Sequence, residues 1–157
     1  MIKICISGFT SSGKTTVAEL VSEKLGIAHI HKSYKEYVKS ELEVAKFTDN
    51  ASDEFVKSFD NEIKKQADSA GSCVLSTWLA PWFIEDATLR IWLHAGIKTR
   101  SSRWAKVYNI GISDAEKLVS EKDQSEVRSI KRIYGIDLND RSIFDMVINT
   151  EKYRQYD

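Results

Sequence analysis

The chain has 157 residues, 42% of them hydrophobic and 29% charged, which fits one globular domain and excludes both a disordered chain and a membrane-spanning one. Lys+Arg 23 balances Asp+Glu 23, so there is no overall positive field to hold nucleic acid or an anionic membrane, and any anion site has to be local. The opening run Met1 to Ile6 is too short, and too soon interrupted by Gly8, for a signal peptide or a spanning helix, so a cytoplasmic protein is expected.

Ile2 to Ser7 is a short β-branched run ending at Gly8, which suits a buried strand feeding a glycine turn. Thr15 to Leu25 reads as a helix, with Val17, Leu20, Val21 and Leu25 in three- and four-residue steps and Gly26 as a left-handed cap. Ile27 to Ile30 is a second strand. From Tyr34 to Ala70 the pattern predicts two helices broken near Thr48 to Asn50. Phe55, Phe59, Ile63 and Ala67 share a face there, with Asn50 as an N-cap and Gly71 as a stop.

Cys73 to Ser76 and Leu89 to His94 read as strands, separated by an aromatic loop around Pro81. Cys5 and Cys73 show no CxxC spacing and are expected to be buried, reduced thiols. Ser113 and Glu116 form a capping-box pair before Ala115, Leu118 and Val119. A further charged helix is predicted from Ser125 to Tyr134, stopped by Gly135, and Phe144 to Asn149 is the fifth strand. Strands alternating with helices imply an α/β fold, a five-stranded parallel sheet with helices on both faces.

Gly8-Phe9-Thr10-Ser11-Ser12-Gly13-Lys14-Thr15 matches the P-loop pattern GxxxxGK[ST] at every position, between a predicted strand and a predicted helix. Its glycines let the backbone fold around a polyphosphate, with amide N–H groups and the positive helix end facing the anion. Lys14 supplies a cation that can bridge β- and γ-phosphates, Thr15 a hydroxyl ligand for Mg²⁺, and Thr16 a donor to the α-phosphate. A P-loop NTPase fold follows.

Beyond the loop, the run Leu89 to Ala95 leading into Arg100 and Arg103, and the tail Ile133-Tyr134-Gly135-Ile136-Asp137 with Ser142-Ile143 and Asp145 to Thr150, carry a wider likeness. The sequence resembles the nucleoside monophosphate kinases, most closely their archaeal cytidylate kinase-like branch. The resemblance implies a single kinase domain over 1–157, with core segments 1–31, 71–103 and 135–157, a helical acceptor-binding insert at about 32–70 and a lid at about 104–134. It implies transfer of the ATP γ-phosphoryl group, with Mg²⁺, to a phosphorylated small molecule such as CMP. A monomer or weak homodimer is expected. Arg100 and Arg103 match lid-base arginines that contact ATP, Thr150 falls near the loop bordering the adenine, and Arg128 stands one position from a second lid arginine.

The acceptor half departs from the family pattern. Ser33-Tyr34 replaces a Gly-Asp pair, Tyr37 stands where an arginine follows it, Thr77-Trp78 replaces Gly-Arg, and Val107 replaces a lid arginine. An arginine fork is the natural bidentate grip on a monophosphate, so this pocket is expected to work through Lys32, Tyr34, Lys35, Tyr37 and Trp78 instead. Several readings stay open. Lys32, Lys35 and Lys39 form either a basic rim or a solvated helix face, and Trp78 and Trp82 either wall the pocket or pack in the core. Arg100 and Arg103 contact ATP, unless one pairs with a neighbouring carboxylate. His31, at a strand end, can reach the cleft, and Asp145 reads as an acid that orders the P-loop neighbourhood. Two other functions fit the pattern: a kinase of a phosphorylated alcohol, phosphomevalonate-like, or a regulatory module that binds ATP without turnover.

Overall fold

A computed structural model describes residues 1–152. Five strands form one parallel sheet in the order β2-β3-β1-β4-β5: β1 Lys3–Ser7, β2 Ala28–Ile30, β3 Cys73–Leu75, β4 Leu89–His94 and β5 Met146–Asn149. The central strand β1 is buried along its whole length, as expected of a β-branched run covered on both faces. Cys5 and Cys73 are fully buried and free, and burial pushes the Cys5 thiol up to about 12. Lys3, also buried, offsets its desolvation by pairing with Asp68 at 3.1 Å and Asp86 at 2.9 Å.

Helix α1, Lys14–Leu25, follows β1 through the glycine loop and ends at Gly26 in the left-handed region, φ 64°. After β2 the chain makes two 3₁₀ turns, Tyr34–Tyr37 and Glu41–Glu43, before helices α2, Val44–Asn50, and α3, Asp53–Ala70. The break between them falls at Ala51–Ser52, so the N-cap of α3 is Ser52, whose hydroxyl accepts from the Phe55 N–H at 3.2 Å. Asn50 instead ends α2, its side chain donating back to the Lys46 carbonyl. The four-residue spacing of Phe59, Ile63 and Ala67, with Val56, puts them all on the buried face of α3.

The aromatic loop contains a short helix α4, Ala80–Phe83, with Pro81 in its first turn, where a missing N–H costs nothing. Helix α5, Ile97–Tyr108, precedes a single long α6, Ile112–Tyr134, where the sequence pattern predicts two helices. Ala115, Val119 and Ile130 are buried on one continuous face of α6. Asp123 and Glu126 occupy that same face between them, which breaks the apolar periodicity without breaking the helix. Ser113 lies inside the first turn and makes no cap bond, the N-cap being Gly111. Asp145 accepts from the Arg90 N–H at 2.7 Å near the amino end of β4, at the end of the sheet away from the P-loop, so it ties strands together and does not order the loop. No helix among the described residues is long and apolar enough to cross a membrane. Positions 153–157 of the predicted core lie outside the described residues.

Candidate active site

The glycine loop sits at the carboxyl edge of β1. Gly8 has φ 152°, and a Cβ there would lie 2.5 Å from both the Leu93 carbonyl oxygen and the Ser12 hydroxyl. Gly13 has φ 103° and leads directly into α1. Both positions therefore need glycine, and the resulting turn aims the start of α1 into a cavity of about 330 Å³. Thr10, Ser11, Lys14 and Thr15 line one end of that cavity. The hydroxyls of Thr10 and Ser12 are buried without a hydrogen-bond partner among the described residues. Gly8, Gly13 and Ser12 thus shape the loop, and Thr16 follows in the first turn of α1.

Lys14 turns its ammonium inward. Nζ donates to the Gly8 carbonyl at 2.6 Å and the Phe9 carbonyl at 3.0 Å, and stands 4.8 Å from the centre of the Trp78 ring. Burial lowers its pKa to about 7, with the Asp123 carboxylate pulling the other way. An anionic phosphate in the cavity would restore the charge. Trp78 is held in place by its backbone carbonyl, which accepts from the Ser7 hydroxyl at 2.9 Å, and it lines the cavity. Trp82 packs in the core on Phe144.

The two arginines of α5 lie behind the loop, on its carbonyl side. Arg100 is buried, donating to the carbonyls of Ala95 and Thr10, both at 3.0 Å, and to Asp123 at 2.6 Å. Its guanidinium braces the P-loop through a buried carboxylate, so here the pairing alternative describes it. Arg103 donates to the Ser11 and Ser12 carbonyls at 3.1 and 3.3 Å and to Thr150, whose hydroxyl in turn donates to Ser12 O at 3.0 Å. Arg128 is not brought to the cavity. It faces outward from α6, where Asp49 holds it at 3.0 Å beside Ser125.

Lys32, Tyr34 and Lys35, from the segment after β2, line the same cavity. Lys32 pairs with Glu62 and lies over Phe59. Tyr34 is buried against Phe59, ring centres 4.7 Å apart. Ser33 caps the turn that carries Tyr34, its hydroxyl accepting from the Lys35 N–H. Tyr37 does not line the cavity; it stacks on Phe47 and meets Phe55 edge-on, half exposed. His31 does line it. Because the Ser76 carbonyl can only accept, its contact with Nδ1 at 3.1 Å places a proton on that nitrogen.

Five charged side chains lining or bracing the cavity carry no motif in the sequence: Glu41 in the second turn after β2, Asp60 on α3, and Lys122, Asp123 and Glu126 on α6. On the two helices a signal is present in retrospect. Val119, Asp123, Glu126 and Ile130 follow the same helical steps as a buried face, as do Val56, Asp60, Ile63 and Ala67, so charges stand at core positions.

A glycine loop with its lysine and threonine at the carboxyl edge of a parallel sheet, facing a cleft walled by helices, defines a P-loop phosphotransferase. The chain belongs to the cytidylate kinase-like family, whose model matches residues 3–152. It is 32% identical over 156 residues to a cytidylate kinase of Pyrococcus horikoshii, covering 96% of this chain and 80% of that protein. It is 34% identical over 160 residues to one of Methanocaldococcus jannaschii, covering 96% and 89%. Among solved structures it is similar to an uncharacterized protein of Eubacterium ventriosum, with TM-score 0.71 and 21% identity over 95% of this chain and 88% of that one. A deoxyadenosine kinase from M. mycoides with bound dATP gives TM-score 0.59 and 16% identity, over 96% and 92% of the two chains. These last two likenesses show a shared fold.

Proposed function

We propose that this kinase transfers the γ-phosphoryl group of ATP to a pyrimidine nucleoside monophosphate of the CMP type. The observation that carries the reading is one continuous cavity joining Lys14 and Thr15 of the P-loop to Lys32, Tyr34 and Lys35 on the segment after β2. Family membership, and relatives that are themselves cytidylate kinases, support the choice of acceptor.

In this reading the loop amides and the start of α1 bind the donor polyphosphate, and Lys14 leaves the Gly8 and Phe9 carbonyls to follow charge onto the transferred group. The buried, unpartnered hydroxyls of Thr10 and Ser12 and the cavity-lining Thr15 fit a Mg²⁺–triphosphate donor. Thr15 would hold the ion from the protein side; no group of three His, Cys, Asp or Glu side chains among the described residues could hold a metal. Bound there, magnesium supplies charge neutralisation. Arg103 and Thr150 hold the loop from behind and border the donor base. Arg100 acts through the loop it braces. Lys32, Lys35 and Trp78 take the place of the family's arginines around the acceptor phosphate.

A coupled assay of ADP release over CMP, dCMP, UMP, AMP and a set of phosphorylated alcohols tests the reading. CMP or dCMP should be the best acceptor, and Lys32→Ala or Lys35→Ala should raise its KM, more so at low salt. A phosphorylated alcohol as the best acceptor, or tight ATP binding with no acceptor-dependent ADP release, would replace it.

A further inference from the structure

Part of the cavity wall is apolar, formed by Val44, Val56, Phe59, Ile63 and Ile130, yet two carboxylates line the same cavity. Asp60 of α3 is 9% exposed and Glu126 of α6 is 6% exposed. Asp60 accepts one hydrogen bond, from the Tyr134 hydroxyl at 2.7 Å. Glu126 accepts one, from the Thr48 hydroxyl at 3.5 Å, and its second oxygen has no partner among the described residues. An ionised carboxylate offers about four acceptor sites, so most of this capacity is unmet.

No cation pairs directly with either carboxylate among the described residues. Lys122 and Lys14 act on Glu126 only through space, Lys122 being paired with Glu41 and Lys14 donating to the Gly8 and Phe9 carbonyls. Burial raises Asp60 to about 6 and Glu126 to about 7, the cost of holding acceptors in a dry pocket without donors. Helices seldom put carboxylates on an apolar face for packing, since a hydrophobic residue of similar volume would cost nothing there.

We propose that Asp60 and Glu126 form a hydrogen-bond-accepting subsite for the amine-bearing end of a planar acceptor, read beside the packed Tyr34 and Phe59 rings. Its chemistry favours a base edge that presents N–H donors over one that presents a carbonyl, which would set lone pair against lone pair. The inference rests on the nucleotide-acceptor reading of the cavity, and gives that reading a residue-level basis for choosing CMP over UMP. The two differ at one exocyclic position, an amine against a carbonyl.

The test uses Glu126→Gln and Asp60→Asn, which keep shape and remove one acceptor each. Wild-type protein should prefer CMP to UMP at least tenfold in kcat/KM. Each variant should raise the KM for CMP about tenfold, hold the KM for ATP, and narrow the CMP to UMP ratio. A purely structural role predicts shifted melting temperatures with the ratio intact, and a ratio within twofold of wild type in both folded variants would overturn the proposal. Should wild-type protein phosphorylate no monophosphate, the kinase reading fails separately, and calorimetric titration with cytidine and uridine still decides the subsite. Cytidine binding that is stronger than uridine binding and weakened in both variants supports it. Equal affinities, or a polyhydroxylated acid bound through these carboxylates in cytidine's place, overturn it.

Discussion

The carboxylate of Asp123, on α6, accepts the backbone N–H of Thr10 in the P-loop at 3.0 Å while its other oxygen holds Arg100 at 2.6 Å. The long helix is thereby fastened to the phosphate loop by a buried ion pair, with side chains 10% and 8% exposed. Asp123→Ala would leave the Arg100 guanidinium buried and unpaired, and should cost about 3–5 kcal/mol of stability. Denaturant unfolding checks the value. A loss under 1 kcal/mol would mean that water reaches Arg100 and the brace is dispensable.

Lys14→Ala should lose on the order of 3 kcal/mol of transition-state stabilisation, about a hundredfold or more in rate. The fold should survive, because among the described residues the ammonium contacts only the Gly8 and Phe9 carbonyls and the Trp78 ring. Steady-state kinetics beside a thermal melt separate the two effects. Unchanged turnover would remove the lysine from the mechanism.

Two cations of α6 make opposite predictions. Arg128 faces outward, its side chain 59% exposed, so Arg128→Ala should leave turnover near wild type and change stability by less than about 1 kcal/mol. Lys122 lines the cavity, lies over Trp104 and pairs with Glu41, so Lys122→Ala should cut kcat/KM more than tenfold. A reversed order of effects would show that α6 rotates before chemistry.

Lys122–Glu41, Arg128–Asp49 and Arg132–Asp53 link α6 to the segment between β2 and β3. These elements should therefore close over bound ATP and acceptor as one unit. Distances between spin labels on α3, α6 and β5 would report it. The α3–α6 distance should hold while both move toward β5, and independent motion of α3 and α6 would contradict the coupling.

The contribution of Asp60 and Glu126 to stability should fall as pH rises toward neutrality in the ligand-free protein. Asp60 is raised from 3.8 to about 6 and Glu126 from 4.5 to about 7, so between those values the folded state binds more protons than the unfolded chain. That sign makes folding less favourable through roughly pH 4 to 7. Glu126→Gln should then be more stable than wild type at pH 8, by on the order of 1–3 kcal/mol, and nearly equal to it at pH 4. Lys14, pushed down to about 7, acts in the opposite sense above that pH, so the comparison is between variant and wild type at each pH. A pH-independent difference would show that Glu126 is solvated.

The donor half of this protein is written locally. Eight consecutive residues, Gly8 to Thr15, contain their own geometry, because two glycines at positive φ and a helix start make an anion site without distant help. The strands and the buried face of α3 were legible for a similar reason, since apolar periodicity records which face leaves water. The acceptor half is assembled by tertiary structure. Asp60 and Glu126 are 66 positions apart and meet one cavity only because the fold sets α3 and α6 on walls of the same cleft. Arg100 could have faced ATP or a carboxylate, and the choice fell to Asp123, 23 positions away on another helix. A charge on a helix face carries no local mark of whether it meets solvent, a partner or a ligand; only the packing of the elements around it decides.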